Sequence, residues 1–250
     1  MSKLLPVRLE KEPLIEAVCE LRVLSNVALN TYFPGILLAK HPMDVTDLRQ
    51  LPAMMIPEQV RAAQAEMAFA PLVQLRFKGI LVMVGERSLV VANPAPYLGW
   101  AAFRALIVEV FTVLLDANLV IMIERYSIKY TNVFKENEVP EPRSALAWKF
   151  EIADLDLKVN TTTLRTETIV DGFLTIITMS GGVTAQAEGV APMQGALIDI
   201  DTISQAQPQG PSDFASSMSV ALDQVRLANK TVFFKCLTDE AVDALKPIYK

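Results

Sequence analysis

Apolar and polar residues alternate along several stretches of this chain, and a two-residue period is typical of a strand with one buried face. The clearest case is residues 13–24. The side predicted to be buried carries Ile15, Ala17, Cys19, Leu21 and Val23. The other side carries Glu16, Val18, Glu20 and Arg22. We therefore predict a strand here, with one apolar and one largely charged face.

Two-residue turns predict two β-hairpins further along the chain. Lys78-Gly79 lies between the predicted strands 71–77 and 79–85, and Asp171-Gly172 lies between 161–170 and 173–182. Both pairs suit the tight turns that join antiparallel strands. The remaining apolar runs predict strands at 87–93, 119–134, 145–159 and 195–204.

A period of 3.6 residues predicts the helices. One follows a proline-containing loop and buries Trp100, Phe103, Leu106, Ile107, Val110, Phe111 and Leu114. Another follows the loop 205–212, with Ser212 or Asp213 as its N-cap. Its predicted buried residues are Phe214, Met218, Leu222 and Val225.

Shorter helices are predicted where proline or a capping residue marks an end. Residues 26–42 begin as a helix that breaks at Pro34-Gly35. Residues 56–67 form a short helix with Pro57 in its first turn, and a last helix opens at Thr238. Residues 43–66 otherwise show no period, although Met54 and Met55 there could form part of an adaptable apolar surface.

The order of these elements repeats, since each half of the chain has strands, a proline-containing loop and then a packing helix. We predict an α+β fold with duplicated antiparallel sheet-plus-helix halves, which are free to join into one continuous sheet. The predicted halves are residues 1–136 and 145–250. The charged, proline-rich residues 137–144 are the predicted linker.

Composition narrows the class of protein. Hydrophobic residues make up 52% of the 250 residues and charged residues 20%, which argues against disorder and favours a packed body or an apolar surface covered by a partner. The net charge of −5 disfavours nucleic acid as a partner.

The apolar stretches do not predict a membrane protein. Charged residues interrupt the longest one, 101–123, so it is interpreted as a buried helix running into a strand. The first residues lack the apolar core of a signal peptide. We expect a cytoplasmic protein without membrane contact.

Common catalytic and cofactor motifs are absent from the sequence. Cys19 and Cys236 lie far apart among apolar residues, which predicts two buried thiols and no zinc site. There is no glycine-rich phosphate loop or GxSxG, and His41 is the only histidine. We predict no cofactor, metal site or catalytic residue, which favours a non-enzymatic protein and leaves an enzymatic one open.

Polar residues on the strands are the candidate ligand-binding site. They are Glu16, Glu20, Arg22, Arg125, Lys129, Asp199 and Asp201, which would meet as one polar surface if the halves share a sheet. A solvated sheet face with cross-strand ion pairs is the simplest interpretation, and a ligand or partner face is the alternative. Asp199 and Asp201 point the same way, but a hard cation takes about six or more oxygen ligands, so these two do not suffice alone.

Short stretches of the chain also carry a resemblance to a known family. They are EPLIEAVCELR (12–22), RYSIKYTNVF (125–134), LIDIDT (197–202) and FFKCLTDEAVDALKP (233–247). In these stretches the chain resembles a sporadically distributed bacterial family of uncharacterised proteins of similar length. The family's central run of Arg, Gly, a basic residue, Tyr and Asn corresponds here to Arg125, Ser127, Lys129, Tyr130 and Asn132. Ser127 and Lys129 depart from the family's usual Gly and Arg, and Tyr130 and Asn132 join the candidate ligand-binding residues.

The resemblance implies no reaction, and a sporadic distribution suggests accessory genes such as those of defence or toxin–antitoxin systems. Our first hypothesis is a non-enzymatic interaction subunit whose partner is another protein, the product of a neighbouring gene; a homo-oligomer stays open. The alternative is a domain that senses a small ligand or nucleotide, or a metal-dependent hydrolase, on the polar sheet face. A third hypothesis is single-stranded nucleic-acid binding on an open sheet.

Overall fold

A computed structural model describes residues 4–65, 67–135, 142–149, 151, 153, 162–185 and 193–249. The strands are β1 (Arg8–Leu9), β2 (Leu14–Ser25), β3 (Val45–Gln50), β4 (Val73–Phe77), β5 (Ile80–Val84), β6 (Ser88–Pro94), β7 (Val120–Lys135), β8 (Thr163–Val170), β9 (Phe173–Ala185), β10 (Met193–Ile203) and β11 (Pro247–Ile248). The α-helices are α1 (Leu29–Lys40), α2 (Glu58–Ala63), α3 (Trp100–Asp116), α4 (Pro211–Lys235) and α5 (Asp239–Ala244). This mixture of helices with a large sheet confirms the α+β class.

Nine of these strands form one sheet, in the order β3-β4-β5-β6-β2-β7-β10-β9-β8. The pairs β3–β4, β4–β5, β5–β6 and β8–β9 are antiparallel. The short strands β1 and β11 pair separately, which the sequence pattern does not predict. Strands from both predicted halves therefore belong to one sheet, while their origin by duplication stays a prediction.

The chain divides into two compact units, each built from separate segments. Unit 1 comprises Met1–Glu16, Lys129–Thr202 and Arg226–Lys250. Unit 2 comprises Ala17–Ile128 and Ile203–Val225. The domain boundaries predicted at residues 136 and 145 stay a prediction, and most of the predicted linker lies outside the described residues.

The core of unit 2 follows the predicted periodicity. Ala17, Cys19, Leu21 and Val23 of β2 are fully buried, as the alternation predicts. Helix α3 buries one face, which includes Phe103, Ile107, Val110, Phe111 and Leu114. Burying such a face is the main source of stability for an amphipathic helix.

The core of unit 1 lies between its strands and the second part of α4. Ile198 and Ile200 of β10 cluster with Val232 and Phe233 of α4. Asn229 fixes this packing, because its amide Nδ2 donates to the Ile200 carbonyl (2.9 Å) and to Thr202 Oγ1 (3.1 Å). Cys236 is buried there as a free thiol, and burial raises its pKa to about 11.

Both predicted hairpin turns are present. Lys78 and Gly79 have φ values of 47° and 87°, and Asp171 and Gly172 have values of 50° and 83°. Two consecutive residues with positive φ are what a two-residue hairpin turn of type I′ requires.

Two predicted helix boundaries are wrong. Helix α1 continues through Pro34 instead of breaking there, because Leu29, Phe33 and Leu37 are fully buried and hold its two ends in one packed face. Helix α4 begins at Pro211, so Ser212 and Asp213 lie inside its first turn rather than at the N-cap. Proline is well suited to a first helical position, where an N–H would have no partner in the helix.

The predicted strand 145–159 is not formed in its described part. Leu146 makes only an isolated antiparallel bridge to Leu237, and residues 147–149 have no regular structure. Residues 154–160 lie outside the described residues. The helices at the other predicted places are confirmed: α2 follows Pro57, and α5 is capped by Thr238 Oγ1, which accepts from the Ala241 N–H at 3.3 Å. Within the described ranges, every helix is too short or too polar to cross a membrane.

Candidate functional site

The polar residues predicted from the strands gather in two clusters, one in each unit. In unit 1, Asp199 of β10 receives two partners from β7. Lys129 Nζ lies 3.3 Å from Asp199 Oδ2, and Thr131 Oγ1 donates to Asp199 Oδ1 at 2.6 Å. Both carboxylate oxygens are therefore occupied within the unit.

Glu16 belongs to the same cluster through its electrostatics. Burial raises the pKa of the Glu16 carboxyl, Lys129 opposes this rise and Asp199 adds to it. The carboxyl therefore keeps its proton to higher pH than an exposed glutamate does.

In unit 2, Glu20 of β2 lies between two guanidinium groups. Its Oε2 accepts from Arg22 Nε at 2.9 Å and from Arg125 Nη2 at 3.1 Å. All three side chains are half-buried, so the pairing is less screened than at an open surface. The residue spacing of β2 predicts Glu20 and Arg22 on one face, and the strand order brings Arg125 beside them.

Phe69 and Arg87 extend this cluster and are not predicted from the sequence. The guanidinium carbons of Arg22 and Arg87 lie 4.2 and 5.2 Å from the centroid of the Phe69 ring, and Arg87 Nη2 donates to Glu124 Oε1 at 2.7 Å. Two cations stack on this ring, so it offers little open surface for stacking a nucleic-acid base. Residues near Phe69 show no hydrophobic period, which is why the sequence carries no signal for this contact.

Tyr130 and Asn132 lie on the other side of β7 from Lys129 and Thr131. Asn132 is buried, and its Nδ2 donates to the Ile198 carbonyl at 3.4 Å. Tyr130 is half-buried. Asp201 is half-buried and shares the strand face of Asp199. Of the predicted residues, the structure thus pairs Lys129 with Asp199 and places Glu20 between Arg22 and Arg125.

In both clusters the charged side chains form ion pairs within the protein. Asp199 and Glu20 each face a cation that lies within salt-bridge distance. In the part of the chain that the structure describes, no group of three or more histidine, cysteine or acidic side chains is arranged to hold a metal ion. The geometry at Asp199 and Glu20 is that of a sheet face with ion pairs between neighbouring side chains.

A cavity of about 840 Å³ in unit 1 is a second feature that the sequence does not predict. Its walls come from the first described residues and from the end of the chain, and they include Leu5, Thr231, Phe234, Val242 and Tyr249. The two segments lie more than two hundred residues apart, so no local pattern could indicate that they meet.

The most exposed apolar surface in unit 2 is the stretch from Met43 to Val60, which we call the 43–60 segment. It contains β3, a 3-10 turn (Pro52–Met55) and the first half of α2. Met43 is 90% exposed, Met55 81% and Leu48 61%, and Met54 and Val60 are also exposed. Strand β3 is the first strand in the order of the nine-stranded sheet and is therefore an edge strand.

Neither a scan against models of known protein families nor a search of curated proteins finds a match to this chain. The resemblance to the sporadically distributed bacterial family therefore stays an expectation.

Proposed function

We propose that this protein is a non-catalytic interaction subunit that binds another protein through the 43–60 segment. The observation that carries the proposal is the exposure of five large apolar side chains within eighteen residues of one segment. Several exposed apolar side chains in one short segment favour an interaction surface, whereas single scattered ones are ordinary.

The composition of the segment suits a binding surface. Three of its exposed apolar residues are methionines, Met43, Met54 and Met55. Methionine is unbranched and polarisable, so it adapts to the shape of a partner. The partner is expected to present an apolar groove or patch.

Contact through side chains is favoured over the addition of a strand to β3. Its register with β4 shifts between Thr46 and Arg49, and Asp47 lies in the left-handed region with a φ of 55°. A bulge of this kind disrupts a strand edge and blocks pairing with another strand. The backbone of β3 is therefore a poor template, and the exposed side chains carry the binding.

The biological setting follows from the resemblance rather than from the geometry. A sporadic distribution suggests an accessory system, such as defence or toxin–antitoxin, in which the partner is the product of a neighbouring gene. The acidic net charge of −5 is compatible with a protein partner and disfavours nucleic acid.

Native mass spectrometry on tagged protein from its own host, at low salt, tests the proposal. We expect a stoichiometric complex with a second protein, which the double variant Leu48→Glu/Met55→Glu loses. Val220→Glu is the matched control, because Val220 is 60% exposed in α4, outside the 43–60 segment. Retention of the partner by the double variant would contradict the proposal, as would a chain that carries no protein.

The cluster around Glu16 supports a second candidate, a small-ligand or nucleotide site in unit 1. Lys129 is partly exposed beside Asp199 and the half-buried Glu16, so a cation and a carboxyl that keeps its proton could both meet a ligand. In the same spectra, a bare chain with the added mass of a small molecule would favour this candidate.

A further inference from the structure

Strand β8 of unit 1 is an edge strand among the described residues. It is the last strand in the order of the sheet, and its only paired neighbour among the described strands is β9. Seven of its eight residues are exposed, and the eighth, Val170, is half-buried. Its pairing with β9 is continuous from Thr163 to Val170, so the strand is regular over its whole length.

The turn at Asp171-Gly172 determines which backbone groups of β8 point outward. Val170 and Phe173 flank this two-residue turn and are directly paired. The pair that closes such a hairpin exchanges hydrogen bonds, and the pattern then alternates along the strand. Even-numbered residues therefore bond to β9, in agreement with the bond from the Gly181 N–H to the Thr162 carbonyl at 3.1 Å. The outward N–H and C=O groups belong to Thr163, Arg165, Glu167 and Ile169.

Strand β8 lacks several of the features that protect an edge from pairing. Its sequence, TLRTETIV, has neither proline nor lysine, and its register contains no bulge. Strand β3, the other edge, has a register shift and a left-handed residue. Unprotected regular edges are templates for another strand.

The charges of β8 identify the strand that fits this edge. Arg165 and Glu167 are exposed, lie on one face and pair with each other at 3.0 Å. In an antiparallel pair of two β8 strands centred on Thr166, Arg165 of each copy faces Glu167 of the other. This register also places Thr163 opposite Ile169. The outward N–H and C=O groups of all four residues in each strand therefore face hydrogen-bond partners in the other copy.

We propose that β8 pairs antiparallel with β8 of a second copy of this chain, about a twofold axis at Thr166. Neighbouring symmetric registers are disfavoured, because centring on Arg165 or on Glu167 places like charges opposite each other. A twofold interface uses the same surface on both subunits, which a self-complementary strand provides.

An interface limited to one strand from each copy is smaller than the roughly 1,200 Å² of a standard protein interface. We therefore expect a reversible dimer whose population rises with protein concentration. The proposal is independent of the function proposed above, because it concerns another strand and is tested on the purified full chain alone.

Sedimentation equilibrium of the purified chain, from micromolar to millimolar concentration, tests the proposal. Arg165→Glu should raise the dimer dissociation constant by about tenfold or more, since it sets like charges across the axis. The swap Arg165→Glu/Glu167→Arg should restore it to within about threefold of the natural value, because the swapped pair faces itself equally well.

A backbone variant separates pairing from side-chain charge. Glu167→Pro removes an outward N–H while keeping the bonds of β8 to β9, so it should abolish the dimer and leave the circular dichroism spectrum unchanged. A natural chain that stays monomeric at millimolar concentration would overturn the proposal. A dimer that both Arg165→Glu and Glu167→Pro leave intact would do the same.

Discussion

At the scale of single residues, burial and pairing determine what the charged side chains contribute to stability. Glu16 and Glu20 lie four positions apart on the same face of β2, but their surroundings differ. Burial raises the pKa of Glu16, whereas Glu20 accepts hydrogen bonds from two arginines. Removing the charge from Glu16 should therefore raise the free energy of unfolding at pH about 8, and removing it from Glu20 should lower it.

We expect Glu16→Gln to stabilise the protein at pH about 8 and to have little effect at pH about 4. The folded state holds the Glu16 proton more tightly than the unfolded chain, so the natural protein loses stability as the pH rises from the unfolded pKa through the raised folded pKa. Glutamine has no proton to lose and escapes this penalty. Urea unfolding at the two pH values measures the difference.

Glu20→Gln is the matched control for this measurement. It should lower the free energy of unfolding at pH about 8, because it leaves the half-buried Arg22 and Arg125 without their shared carboxylate. An equal effect of Glu16→Gln at both pH values would contradict the account of Glu16.

The periodicity of the sequence predicts which residues share a strand face, but not which strands become neighbours. Glu20 and Arg125 are 105 positions apart, and only the order β2-β7-β10 gives each charge its partner. Phe69 lies in a stretch without a period, so its contact with Arg22 depends on tertiary structure alone. For this reason the sequence predicts the polar face and not its ion pairs.

At the scale of elements, local chemistry predicts strands, helices and turns well where one signal dominates. The two hairpins follow from Lys78-Gly79 and Asp171-Gly172, whose positive φ values suit those turns. The prediction fails at Pro34, because buried neighbours outweigh the local cost of a proline in a helix. The order of the strands depends on long-range pairing, which no local period encodes.

Gly195 shows how closely β10 approaches β7. A Cβ atom at this position would lie 2.0 Å from the Phe134 carbonyl oxygen, a backbone atom that cannot turn aside. Glycine in a strand often marks such an approach of another backbone. We expect Gly195→Ala to lower the free energy of unfolding by about 1–3 kcal/mol, measured by chemical denaturation.

Gly35→Ala is the matched control, because a Cβ atom there would meet nothing within 4 Å inside helix α1. It should raise stability by about 0.5–1 kcal/mol, since alanine loses less conformational freedom in a helix than glycine does. If Gly195→Ala stabilised the protein as much as Gly35→Ala, this would contradict the close approach of β10 to β7 at Gly195.

At the scale of the whole molecule, binding is the activity that the described surfaces support best. The carboxylates of Asp199 and Glu20 are paired within the protein, whereas the apolar side chains of the 43–60 segment are exposed. Hydrophobic residues make up 52% of the sequence, but only the structure shows which of them stay on the surface. The 43–60 segment is therefore the surface on which we propose that a partner protein binds.

Site-specific photo-crosslinking in the host cell shows directly whether the 43–60 segment contacts another protein. A photoreactive amino acid replaces Met55 in the tagged full chain, and the same replacement at Val220, exposed in α4, serves as the control. We expect an adduct with one other protein from position 55 and none from position 220. An absence of any protein adduct at position 55, or the same adduct from both positions, would contradict this proposal.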